Sequence, residues 1–255
     1  MREVAFLRSP VAHGRIKSVN KPAGREEDVY VAADLEGVLP IRADSGLPGF
    51  KSSLQPILAH DKVRYVGELV AACLAPSRAE AEDLVALLEY EIESLPVVSD
   101  MIEARAPGAP LLHEPWGDNV FLETFVEGDA DIEALKREAA ASVSRIFRTA
   151  RQSMAPMEGR GVVAEWDKRL EMLTLATATQ MPHIVRTGLA ECLGLDEGQV
   201  RIVAPDVGGG FGYKGILLAE EVTLGWIAMK TGQPVCWIED RREQLTANAN
   251  CREHH

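Results

Sequence analysis

Short apolar runs separated by turn residues set the rhythm of the first hundred residues. Residues 4–7 and 29–32 are apolar and flanked by turn formers, so both are expected to be strands. A loop rich in glycine, serine and proline follows at 43–56. Lys62-Val63-Arg64-Tyr65-Val66 alternates polar with apolar, the pattern of a half-buried strand, and 69–74 is an almost unbroken apolar run closed by Pro76. Ser77, with Glu80 three residues on, has the spacing of a capping box. The helix it opens has an apolar face of Leu84, Val85, Leu87 and Leu88, and a strand around 90–92 ends before Pro96. Strand–strand–helix–strand predicts a small α/β unit.

Residues 98–140 lose this pattern. Pro107, Pro110 and Pro115 punctuate them, and 118–138 holds seven acids against two basic residues. The stretch reads as a connector with a solvated face or, alternatively, an acidic docking surface. From 141 the pattern returns: strands are expected at 141–150, 161–166, 173–178, 200–204 and 234–238. Helices are expected at 182–193, stopped by Gly194, and at 216–229. The last residues carry neither a helix stop nor turn chemistry, so the fold is expected to continue past them, and Met1 is expected to begin inside a strand region.

Composition narrows the function classes. At 255 residues with 46% hydrophobic and 26% charged content, the chain is expected to form one large or two modest soluble domains. No run approaches the roughly 18 apolar residues of a membrane helix, nothing resembles a signal peptide, and a cytoplasmic location is the default. A formal charge of −12 argues against a nucleic-acid partner. Cys73, Cys192, Cys236 and Cys251 are too scattered for an iron–sulfur or zinc site and are expected to be reduced and mostly buried. The six histidines show no metal-ligand spacing.

Three segments could carry chemistry. The first is Val207-Gly208-Gly209-Gly210-Phe211-Gly212-Tyr213-Lys214-Gly215, between an expected strand and helix. Its four glycines in five residues leave backbone amides open to a ligand, and the following helix N-terminus makes an anion site reasonable. An exposed Phe211 would be costly there, so its ring is expected to pack on something. The segment is not a P-loop, but 210–215 does satisfy GxGxxG, with Glu239 near where a ribose-binding acid would stand. Against a dinucleotide fold, Pro205-Asp206 interrupts the strand and the surrounding βαβ rhythm is missing. The second segment is Ala178-Thr179-Gln180-Met181-Pro182-His183, where the Gln180 amide could donate to an oxo group or phosphate, or Thr179 could merely cap a helix. The third, residues 151–160, places Glu158 where it could pair with Arg160 or Arg151.

In order along the chain, these segments resemble the large subunit of the molybdenum hydroxylases: xanthine dehydrogenase, aldehyde oxidase and aerobic carbon monoxide dehydrogenase. The similarity is carried by Arg8-Ser9-Pro10-Val11-Ala12-His13-Gly14-Arg15-Ile16, by 63–97 with Val66-Gly67-Glu68-Leu69-Val70-Ala71, and by Met157-Glu158-Gly159-Arg160-Gly161 before Trp166-Asp167. Thr179-Gln180, 208–214 and Glu239-Asp240-Arg241-Arg242-Glu243 complete it.

The resemblance implies an α+β fold: an a/b hammerhead-like domain at 1–97, a connector at 98–140, and the first part of a molybdopterin-binding domain at 141–255. It implies a molybdenum–molybdopterin cofactor, in plain or cytosine-dinucleotide form, held by Gln180, Gly209, Gly210, Phe211 and Gly212. Gln180 and Phe211 would lie beside the metal's oxygen ligands without ligating molybdenum. The reaction would be hydroxylation of an aldehyde or N-heterocycle with water-derived oxygen, or oxidation of CO, with electrons passing to FAD and 2Fe-2S partner subunits. No catalytic residue is expected within this chain, because the family's base lies downstream in the remaining half of the subunit. Gly215 stands where purine-oxidising members carry Glu, which argues against a purine, and Val11 replaces a usual His. Two other readings stay open: a non-catalytic assembly or binding remnant, and a dinucleotide-binding dehydrogenase using 210–215. As an incomplete domain the chain is expected to expose apolar surface and to associate.

Overall fold

The computed structural model describes residues 1–125, 128 and 131–247, and the backbone of 250 and 251. Part of the acid-rich stretch at 118–138, and the chain end read as lacking a stop, lie outside the described residues.

The first region contains β1 (Arg2–Arg8), β2 (Gly14–Asn20), β3 (Val29–Val31), β4 (Ile41–Ala43), β5 (Ser53–Gln55), β6 (Lys62–Val63), β7 (Leu69–Ala75), α1 (Arg78–Ala86) and β8 (Glu89–Ser94). The second contains α2 (Ile132–Glu138), β9 (Gln152–Ser153), β10 (Gly161–Asp167), β11 (Met172–Thr177), α3 (Pro182–Leu193), β12 (Val200–Val203), α4 (Ala219–Thr231), β13 (Val235–Ile238), α5 (Arg241–Thr246) and β14 (Asn250–Cys251).

One mixed sheet, in the order β12-β11-β10-β13-β1-β7-β3, runs through both regions. Its joint is the parallel pair β1–β13, with Arg2 beside Val235 and Glu3 beside Cys236. The unbroken apolar character of β7 follows from burial on both faces. Ala72 and Leu74 enter the main core, whereas Val70 and Cys73 enter a second core with Leu84 from α1 and Leu88 just past it. A smaller sheet, β6-β2-β8, covers that second core. In the second region α4 lies across β10, β11 and β13 and packs on α3, burying Val222, Leu224, Ile227 and Ala228.

The local signals mostly hold. The Ser77 hydroxyl caps α1 by accepting the Glu80 N–H, and Gly194, left-handed at φ 66°, ends α3. Cys73, Cys192 and Cys236 are buried and unbridged. Among the described residues no helix is long and apolar enough to cross a membrane.

Three expectations fail locally. Residues 141–148 form no strand, and Val143, Ile146 and Phe147 stand exposed. No sheet runs alongside them, and an apolar pattern without a surface to cover does not hold a strand. The strand expected at 62–66 stops at Val63, because the Glu68 carboxylate accepts the Arg64 N–H at 2.5 Å and Gly67, at φ +91°, turns the chain. The helix expected from 216 begins at Ala219, because Leu218 is extended and the chain up to Gly215 is still in the turns of the glycine loop.

Gly67 is also where the two regions touch: a Cβ there would lie 2.5 Å from both Cα and Cβ of Ala247, just past α5. Gly37 has a similar φ of +79° but nothing within 4 Å. Gly67→Ala is therefore expected to cost clearly more than the roughly 1–2 kcal/mol of left-handed strain that Gly37→Ala alone should show. Urea unfolding of the two variants side by side measures the difference. Equal midpoints would mean that the Gly67–Ala247 contact is not made.

Candidate functional site

The glycine loop leaves β12 through Ala204-Pro205-Asp206 and is pinned from two sides. On one side the Glu158 carboxylate accepts the Gly208 N–H at 2.7 Å and, through the same oxygen, the Lys214 ammonium at 2.6 Å. The Glu158 N–H reaches back to the Gly208 carbonyl at 3.4 Å. On the other side the Gln180 N–H donates to the Lys214 carbonyl at 2.8 Å, and Gln180 Oε1 accepts the Gly212 N–H at 3.0 Å. The Thr179 hydroxyl donates to the Lys214 carbonyl and accepts the Met181 N–H, so it both holds the loop and turns the chain just ahead of α3.

What the pinning leaves open is the middle of the loop. Among the described residues the N–H groups of Gly209, Gly210 and Phe211 have no hydrogen-bond partner, and neither has Gln180 Nε2. Since Oε1 takes the Gly212 N–H, the amide's donor end is the free one. Glycine keeps space open at this loop as well as supplying conformation. A Cβ on Gly210 would stand 2.3 Å from Gln180 Oε1, one on Gly208 2.7 Å from Glu158 Cβ, and Gly209 sits at φ +98°.

Phe211 departs from expectation. Its backbone is left-handed at φ 55° and its side chain is 73% exposed, with only a ring edge near Gly209. Left-handed φ at an aromatic residue is a strained conformation that persists where surrounding structure imposes it. Met157, Met181, Ile184 and Ile216 are exposed as well. The expectation of exposed apolar surface is met at this loop.

Beneath the loop lies a buried ionic layer. Arg160, at the mouth of β10, bonds Glu239 through Nε (2.9 Å) and Nη2 (2.7 Å), and Glu220 through Nη2 (3.0 Å). Arg8 of β1 takes the same Glu220 oxygen at 3.0 Å and also binds Glu243 of α5 at 3.0 Å. The Tyr213 hydroxyl donates to Glu239 at 2.5 Å, and Arg160 lies over the Tyr213 ring at 5.0 Å. Burial alone would raise the Glu220 carboxyl, but the guanidinium groups of Arg160 and Arg8 overturn that and bring it to about 2. Its neighbour Glu221 forms no ion pair among the described residues and feels Arg160 only weakly. Burial pushes it up to about 7, opposed by hydrogen bonds from the Thr177 hydroxyl and the Leu218 N–H.

These contacts correct three readings. Glu158 pairs with Lys214, not with Arg160 or Arg151, since the Arg160 guanidinium is committed to Glu220 and Glu239. Glu239 cannot serve a ribose, because its side chain is fully buried against Arg160 and Tyr213. The start of α4 is not an open anion site either: Glu221 caps it by accepting the Leu218 N–H at 2.9 Å. The GxGxxG reading loses its frame too, because β12 and β13 are separated in the sheet by β11 and β10 and form no adjacent parallel pair. Sequence reasoning passed over Lys214 as a partner and missed Glu220 and Glu221 altogether. A signal was present: two acids open a helix whose next eight residues carry no charge, and buried carboxylates demand a cation or a proton.

The molybdopterin cofactor-binding domain profile matches residues 112–255, which include the glycine loop, Gln180 and the whole buried ionic layer except Arg8. The chain belongs to the molybdopterin cofactor-binding domain family. Residues 2–96 match the a/b hammerhead domain of aldehyde oxidase and xanthine dehydrogenase. The chain is 38% identical to the nicotine 6-hydroxylase large subunit of Paenarthrobacter nicotinovorans, covering 97% of itself and 31% of that protein. It is 33% identical to the carbon monoxide dehydrogenase large chain of Hydrogenophaga pseudoflava, covering 100% of itself and 33% of that protein. Among solved structures, quinoline 2-oxidoreductase from Pseudomonas putida 86 superposes with a TM-score of 0.90 at 38% identity, over 98% of this chain and 32% of that one. The chain thus spans about a third of the length of the relatives it matches.

The residues present fit a molybdopterin cofactor. Such a group brings anionic oxygen and sulfur to its site, and the loop offers unpaired backbone N–H donors beside the free Gln180 Nε2. Among the described residues no three His, Cys, Asp or Glu side chains are placed to hold a metal ion themselves.

Glu221 generates a pH dependence. A carboxyl raised from 4.5 to about 7 binds its proton more tightly folded than unfolded. Its contribution is present below the unfolded value and is lost as pH rises through about 7. Glu220, lowered to about 2, acts in the opposite direction, and only as pH falls below 4.5. Replacing Glu221 by Gln should therefore flatten the fall in stability between about pH 5 and about pH 8, a difference on the order of 3 kcal/mol. Urea midpoints at the two pH values measure it. An unchanged slope in the variant would show that Glu221 is ionised in the fold.

Proposed function

We propose that this chain is the front part of the molybdenum-cofactor-binding large subunit of a hydroxylase, and that Gln180, Gly209, Gly210, Phe211 and Gly212 hold the cofactor. The observation that carries this reading is the set of uncommitted donors, the N–H groups of residues 209–211 beside Gln180 Nε2, at a place where a Cβ on Gly210 would push the Gln180 amide aside. When bound, molybdenum with molybdopterin supplies two-electron oxidation using oxygen drawn from water. This chain's part would be to hold and orient that group: Gln180 Nε2 and the Phe211 N–H would donate to its oxygen atoms, neither ligating the metal. The ring of Phe211 and the exposed Met157 and Met181 exclude water once the remaining half of the subunit covers them. The catalytic base belongs to that remaining half.

The substrate class we favour is an aromatic N-heterocycle. The names of two relatives at 38% identity, nicotine 6-hydroxylase and quinoline 2-oxidoreductase, support it over CO or an aldehyde. Gly215 in the position of the purine-binding Glu keeps purines out of the proposal. We assign FAD and 2Fe-2S to partner subunits, the cytosine-dinucleotide form to the cofactor, and the cytoplasm to the complex, in keeping with buried, unbridged thiols. The division into a hammerhead domain at 1–97, a connector at 98–140 and a cofactor-binding part at 141–255 is proposed on the same footing.

The test is molybdenum and pterin analysis of the complete subunit purified with its partner subunits, beside its Gly210→Ala variant. The unsubstituted complex should hold molybdenum and oxidise a quinoline- or nicotine-like ring. The variant's Cβ displaces Gln180 and should lower cofactor content roughly tenfold or more. A complex free of molybdenum but carrying a bound nucleotide would overturn the reading in favour of a dinucleotide enzyme.

A further inference from the structure

Glu158 lies outside the set of cofactor-holding residues, yet the loop is built around it. Residues 208 and 214 are the two ends of the loop, and both end on a single Glu158 oxygen, through the Gly208 N–H at 2.7 Å and Lys214 Nζ at 2.6 Å. The Lys214 side chain is completely buried, whereas that of Glu158 is 39% exposed. A buried ammonium is costly unless paired, so Lys214 enforces the position of the carboxylate more strongly than a surface ion pair could. Packing adds to this: Glu158 Cβ fills the space a Gly208 side chain would need, at 2.7 Å, and Pro156 sits 3.2 Å from a Cβ placed on Gly209. The donors left free, at 209–211, are the stretch between these two anchors.

We propose that Glu158 is a positioning residue: by clasping both ends of the loop it fixes where the Gly209, Gly210 and Phe211 amides point, and so sets how the cofactor is held. The inference rests on the functional reading above and adds a residue to it. Glu158 touches neither cofactor nor substrate in this role. It acts through the backbone, and Lys214 acts as its counter-charge.

Variants separate positioning from mere stability. Glu158→Ala strands the buried Lys214 ammonium and is expected to lower the melting temperature. Lys214→Met in the same chain removes that charge and is expected to restore it, but Gly208 still lacks its acceptor. In Glu158→Gln one amide oxygen can still accept both donors. The experiment is molybdenum content and the molybdenum X-ray absorption spectrum of the complete subunit, purified with its partner subunits, for wild type, E158A, E158A/K214M and E158Q. The expected result is a loss of roughly tenfold or more in molybdenum for E158A. The same loss should persist in E158A/K214M at wild-type melting temperature, with an altered spectrum in whatever cofactor remains. E158Q should stay within about threefold of wild type. If E158A/K214M does not fold, E158D, whose carboxylate falls one methylene short of both donors, takes its place with the same expected loss. A double variant as fully loaded as wild type and with its spectrum would overturn this inference alone. Absence of molybdenum from the wild-type complex would overturn the functional reading and this inference with it.

Discussion

The buried guanidinium of Arg160 is the constraint on which the rest of the structure depends. It joins the mouth of β10 to the end of β13 through Glu239 and to the start of α4 through Glu220, and Glu220 in turn holds Arg8 of β1. Tyr213, inside the glycine loop, closes the circuit by donating to Glu239 while its ring lies under Arg160. Ion pairs taken out of water stabilise little compared with well-packed apolar groups, but breaking one partner away is expensive. The layer therefore matters chiefly as a registry device. It accepts only one arrangement of five segments, and that arrangement puts the glycine loop opposite Gln180.

Above this layer the site is made almost wholly of backbone. Donors at 209–211 are free because Glu158 and Gln180 satisfy the residues on either side of them. The Glu158 and Lys214 side chains hold the loop from below, and Gln180 holds it through Oε1 while leaving Nε2 free. Between those two supports Phe211 is left exposed with a left-handed φ of 55°.

Much of the fold was legible in the sequence. The capping box at Ser77 and the stop at Gly194 rest on local chemistry, and local chemistry survived folding. The doubly buried β7 was legible because burial on both faces writes an unbroken apolar run. Residues 141–148 misled because their pattern describes a surface that needs covering, and nothing among the described residues covers it. At the site, glycine density pointed to the loop itself, since a Cβ on Gly208 would meet Glu158 Cβ at 2.7 Å and Gly209 sits at φ +98°. Its supports were hidden: Glu158 finds Lys214 fifty-six residues away, and Arg160 finds Glu239 seventy-nine away. Charge pairing over such distances leaves no local pattern. Only the oddity of Glu220 and Glu221 opening an apolar helix hinted at a buried cation.

The central claim is that this loop and Gln180 face the cofactor. A structure of the complete subunit loaded with its cofactor tests it most directly. The account predicts oxygen ligands of the metal within hydrogen-bond distance of Gln180 Nε2 and the Phe211 N–H, with the Glu158–Lys214 clasp intact beneath them. A cofactor seated elsewhere, with the 209–211 amides turned to solvent or to other protein groups, would contradict it.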